Sequence, residues 1–171
     1  MTSRITRCPA GFYQAENATV VGDVIIGADT SLWFNVVVRG DVASIRIGRR
    51  VNVQDASIIH VDTGVPQVIE DEVSIGHRAI VHGKLVGRGT LIGMGAIVLS
   101  GCTVGEECLI GAGAVVPPNS DIPDRSVVMG VPGRIVRQVT ERDLAYMKTI
   151  CGAYLELARK HGAGEFPPIG A

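Results

Sequence analysis

Three of the four histidines in this 171-residue chain lie in one short window: His60, His77 and His82. Neutral imidazole is the commonest protein ligand for a transition metal. Three imidazoles with a water in the fourth position make the open zinc arrangement, in which the water's pKa falls to about 7. Iron, cobalt or nickel could occupy the same His₃ set. Close by in sequence stand Arg39, Asp41, Asn52, Gln54 and Asp55. Histidines on solvated turns could cluster in the same way. What separates the two readings is whether the backbone brings the rings together.

The elements that could do so follow a period of six. Ile92, Val98, Val104, Ile110, Val116, Ile122 and Val128 recur without slippage. Upstream the series continues through Ile69, Ile75 and Val81, through Ile47, Val53 and Ile59, and through Ile26, Leu32 and Val38. Extra residues fall around 41–43 and 62–64, and Val86 takes a shortened slot before Ile92. Six matches neither a helix nor a simple strand. It matches a short strand and a turn, repeated three times per coil of a parallel β-helix. Composition agrees: 46% of residues are hydrophobic, only 4% are aromatic, and 22 are glycines. Thin stacked layers of β-branched residues need few rings.

Such a coil has three faces, and the register assigns them. The residue after each third-face aliphatic is Arg39, His60, His82, Leu99 and Pro117 in turn. Arg39, His60 and His82 therefore form one vertical column with neighbours about 4.8 Å apart. Two imidazoles at that spacing can converge on one metal. His77 lies five residues before His82, roughly 16 Å of extended chain away, near another corner. Outward side chains on a convex prism diverge, so a third ligand at about 2.0–2.1 Å requires a second subunit to supply His77. Unlike surfaces meeting head to tail close as a ring, and a triangular prism suggests a homotrimer with three interface sites.

The expected organisation is a β-helix with an N-terminal extension over 1–139, a C-terminal helix over 140–162 packed on it, and a tail at 163–171. Thr140 is a good N-cap, followed by first-turn acids. Leu144, Met147, Cys151, Tyr154, Leu155 and Ala158 mark the helix's apolar stripe. Sixteen basic residues against seventeen acidic give a net charge of −1, which argues against nucleic acid or an anionic membrane as partner. There is no apolar run of transmembrane length and no secretory leader pattern. Cys8, Cys102, Cys108 and Cys151 contain no CxxC pair and read as free thiols. A cytoplasmic location is expected.

Taken together, Arg39-Gly40-Asp41, Asn52-Val53-Gln54-Asp55, Ile59-His60 and Gly76-His77-Arg78-Ala79-Ile80-Val81-His82-Gly83 resemble the gamma-class carbonic anhydrases and their bacterial relatives. The resemblance spans roughly residues 10–160. It implies an all-β fold, a single-stranded left-handed parallel β-helix of hexapeptide repeats with a C-terminal α-helix, in a homotrimer. It implies zinc held by His60 and His82 of one chain and His77 of its neighbour, and reversible hydration of CO₂ to bicarbonate. The residue matching Gln54 hydrogen-bonds the metal's water ligand. Those matching Arg39 and Asp55 form a charged contact across the interface, which could also be purely structural. The residue matching Asp41 braces the arginine, and the one matching Asn52 sits nearby. The chain departs from the best-characterised active members at two places. Val42 stands where they carry a glutamate, and the loop 61–68 has only Asp62. Both glutamates shuttle protons there, so weak activity is expected. Two other functions compete. An acyl-CoA transferase on the same scaffold uses a lone histidine as general base, and Gly130-Val131-Pro132-Gly133 resembles a segment of those enzymes. The third is a non-catalytic metal-binding trimeric scaffold.

Overall fold

A computed structural model describes residues 4–166; residues 167–171 of the expected tail lie outside them. The six-residue period becomes a parallel β-solenoid. Most rungs are two-residue strands followed by a turn, as in Leu91–Ile92, Ile97–Val98 and Thr103–Val104. Register is as the arithmetic requires. On the first face Ile26 pairs with Ile47 and Ile47 with Ile69. On the second, Val53 pairs with Ile75, which stacks on Ile92. On the third, Val38 pairs with Ile59 and Ile59 with Val81. The inward side chains of Val53, Ile59, Ile75, Val81 and Ile92 are fully buried. Burying each contributes about 1.5–3 kcal/mol, and one-residue slippage would turn the whole set outward.

The three-residue excess at 41–43 does not interrupt the sheet. Val37–Ile47 runs as one eleven-residue strand from the third face round to the first. Thr19–Ile26 pairs along it, with a register shift between Gly22 and Val24. A strand bends there because a bulge absorbs the surplus. The excess at 62–64 instead forms a turn between Ile58–His60 and Gln67–Ile69. Glycine sets the corner spacing: a Cβ on Gly93 would lie 2.5 Å from the backbone nitrogen of Ala112 on the next coil.

Antiparallel strands cover both ends of the second face. Ile5–Arg7 pairs with Tyr13–Ala15, and Ser126–Met129 with Arg134–Gln138. The helix α1 (Glu141–Gly162) opens with a reciprocal cap. Thr140 accepts from the Asp143 backbone N–H, and the Asp143 carboxylate accepts from the Thr140 N–H at 2.8 Å. α1 packs along the second face and the N-terminal strands. Leu144, Met147, Cys151 and Ala158 are buried there, while Tyr154 and Leu155 are only half-buried. No helix among the described residues is long and apolar enough to cross a membrane.

Candidate metal centre

The ladder pairs Arg39 with His60 on adjacent coils of the third face, and His82 follows the next rung, Ile80–Val81. His60 Nδ1 and His82 Nε2 face each other at 3.1 Å. Each ring is held from behind. His60 Nε2 lies 3.2 Å from Asp41 Oδ1, an acceptor that places the proton on Nε2. Ser100 Oγ donates to Asp62 Oδ1 at 3.3 Å and thereby accepts from His82 Nδ1 at 3.2 Å. Both partners select the tautomer that leaves the facing nitrogen bare. Two bare lone pairs at 3.1 Å repel, and either a bridging proton or a metal cation between them removes that repulsion. Two nitrogen ligands of one tetrahedral ion, each with a bond of about 2.0–2.1 Å, sit roughly 3.3 Å apart. The spacing and the chemistry of this pair both suit a divalent transition metal.

Arg39 extends beside the pair and donates to Asp41 Oδ2 at 2.7 Å. That guanidinium, helped by the hydrogen bond from His60, holds the Asp41 carboxyl below the usual carboxylate range. Asp41 is therefore an anion braced between a cation and the His60 ring.

His77 belongs to a different group. It sits on the turn between the second and third faces. Its Nδ1 lies 2.9 Å from Asp55 Oδ2 and its Nε2 3.0 Å from the Tyr154 hydroxyl on α1. Gln54 joins this side: its Oε1 accepts from the His77 backbone N–H at 3.2 Å and its Nε2 donates to Asn52 Oδ1 at 3.0 Å. Asn52 in turn donates to Ser74 Oγ at 2.7 Å. Asn52 and Gln54 are buried and hydrogen-bonded to each other. Burial, and then the charge of Asp55, push the Tyr154 hydroxyl pKa up, so the phenol stays protonated.

One chain thus carries two half-sites on separate corners. Arg39, Asp41, His60 and His82 come together; Asn52, Gln54, Asp55 and His77 come together; the groups do not meet within the chain. Among the described residues no set of three His, Cys, Asp or Glu side chains could hold an ion. Two participants escaped the sequence reading. Ser100 lies one coil beyond His82, as the chain neighbour of Leu99, the residue that succeeds His82 in the column. Tyr154 reads as part of the apolar stripe of α1, yet a half-buried hydroxyl needs a partner, and that was its signal.

The family model described as "Bacterial transferase hexapeptide (six repeats)" matches residues 83–118. The chain is 45% identical over 154 residues to the "Carbonic anhydrase" of Geobacillus kaustophilus, covering 90% of this chain and 85% of that protein. It is 38% identical over 163 residues to "Gamma carbonic anhydrase 1, mitochondrial" of Arabidopsis thaliana, covering 92% of this chain and 59% of that longer protein. Among solved structures, a hexapeptide transferase family protein from Anaplasma phagocytophilum superposes with a TM-score of 0.83 at 31% identity, over 90% of each chain.

Proposed function

The chain belongs to the gamma-class carbonic anhydrase family, and on that footing we propose that it catalyses reversible CO₂ hydration with a divalent metal, zinc by preference, in a homotrimer. His60 and His82 of one protomer and His77 of the next would hold the ion. When bound, such an ion acts as a Lewis acid and brings the pKa of a coordinated water to about 7. The observation that carries this reading is the pair of tautomer-fixed histidine nitrogens facing each other at 3.1 Å. Asp41 and the Ser100–Asp62 pair hold the two rings from behind, which also makes them stronger donors. Arg39 supplies positive charge beside the pair, suited to drawing in bicarbonate. Asp55 and Arg39 lie on opposite half-sites, so a head-to-tail contact would let them meet across the interface. Asn52 holds the Gln54 amide in one orientation at the His77 side, with its remaining donor N–H available to an incoming oxygen.

Proton export is the weak step. Val42 is exposed on the strand that carries Arg39 and Asp41 and cannot relay a proton. Asp62, the one acid on its loop, is tied to Ser100. Turnover is therefore slow and assisted by buffer. The acyl-CoA transferase reading draws on the family-model match at 83–118, but that segment contains none of the three histidines. The test is metal content measured together with CO₂ hydration, before and after chelation. Metal at one ion per chain, with hydration lost on chelation and restored by zinc, is expected. Fully loaded protein with no hydration would turn the reading to a scaffold.

A further inference from the structure

The corner between the first and second faces carries a column of charged turn residues: Asp29, Arg50, Glu72, Glu107 and Arg125. All adopt positive φ, between 51° and 61°. One rung differs. Gly89 stands between Glu72 and Glu107, with its N–H bonded to Asp71 O and Glu107 N–H bonded to Arg88 O. Its φ of +69° is the conformation its neighbours reach with full side chains. A Cβ there would meet only Glu107 Cγ, at 3.7 Å, an ordinary contact. The turn accommodates other residues along this column, at the cost of backbone strain, and no neighbouring atom excludes a side chain at position 89. What glycine does is leave the rung without a side chain, and a cavity of about 390 Å³ opens there beneath α1.

That volume suits a small organic ligand. Leu144, Met147 and Cys151 form a nearly buried apolar floor. Arg50, Arg88 and Lys148 line it with Glu72 and Glu107, leaving one positive charge in excess. Arg50 reaches Glu72 only at 3.5 Å, and Arg88 reaches Glu106 at 3.4 Å. Lys148 makes no ion pair among the described residues. Its ammonium and the two loosely held guanidiniums can turn to an incoming anion. We propose that this cavity binds a small monoanionic carboxylate with an apolar body, at a site separate from both histidine half-sites. His77 occupies the corner between the second and third faces, and His60 and His82 follow the third-face rungs. A trimer joined through those groups leaves the first–second corner on the outside. Burial pushes the Cys151 thiol pKa up, and its S–H is directed at Arg50 O, 3.4 Å away. The cavity therefore offers binding and no ready nucleophile.

Full-length protein labelled at the methionine methyls gives the test, because Met147 lies in the floor while Met94 and Met129 are exposed elsewhere. Sodium benzoate should shift the Met147 resonance saturably and leave Met94 and Met129 in place. Benzyl alcohol, its neutral analogue, should need about tenfold more, as should benzoate with Lys148→Ala, the loss of one charge-assisted bond. Gly89→Gln should fill the cavity and abolish the shift, with the fold retained and the melting temperature somewhat lowered by the strain of a side chain at positive φ. No saturable shift at Met147 would overturn the proposal. So would equal binding of benzoate and benzyl alcohol, or undiminished binding in Gly89→Gln. If Gly89→Gln fails to fold, the argument from the turn is wrong, and the Lys148→Ala comparison decides the site by itself.

Discussion

His60 Nδ1 and His82 Nε2 stand 3.1 Å apart on successive coils, with Asp41 behind the first ring and Ser100 behind the second. His77, on another corner, has both ring nitrogens engaged within its own chain, by Asp55 and Tyr154. It must release one of them to serve a neighbour's metal.

This division makes complementation possible. His60→Ala and His77→Ala proteins should each bind little metal alone. Refolded together, they should regain part of it, since an interface can pair His77 from one variant with His60 from the other. Metal content of separately purified and co-refolded samples decides. No recovery, with trimers formed, would place the site within one chain.

Ser100→Ala should weaken metal binding by about 10–100-fold, the usual effect of losing a partner behind a ligating histidine. Asp62→Asn should do less, because its amide oxygen still accepts from Ser100. Competition with a chelator measures affinity, and cobalt spectra report whether the ligand field changes. Unaltered affinity in Ser100→Ala would show that His82 is oriented by packing alone.

Stopped-flow CO₂ hydration should be slow and should rise with imidazole concentration. Val42 has no group to carry a proton, and Asp62 is tied to Ser100. Val42→Glu should raise turnover and flatten that dependence at matched zinc content. Fast, buffer-independent turnover in the unaltered protein would reveal another relay.

The cap of α1 has a defined pH signature. Arg137, at 2.6 Å, and then Thr140 hold the Asp143 carboxyl far below the usual range. A carboxylate depressed in the folded state stabilises above its unfolded pKa of about 3.9, and this is lost as pH falls through the folded value. Asp143→Asn should therefore lower the melting temperature at pH 7, with the gap to the unaltered protein closing below about pH 4. Thr140→Ala should cost about 1 kcal/mol at neutral pH. Denaturant melts at both pH values check each.

Much of this architecture was legible in the residues. A period of six is arithmetic: once Ile59 stacks on Val38 and Val81 on Ile59, the positions of Arg39, His60 and His82 in one column follow without knowledge of any contact. The same holds for the start of α1, because Thr140 and Asp143 are three residues apart and cap one another locally. Tertiary structure decided what depends on how separate parts dock. The surplus at 41–43 became a continuous strand because Thr19–Ile26 was there to pair with it. Tyr154 met His77, and Cys151 met Arg50, only because α1 lies along the second face. Spacing in sequence carries information along a coil, where backbone geometry is repetitive. It carries none about which side chain a docked helix, 77 or 101 residues away, sets against a corner.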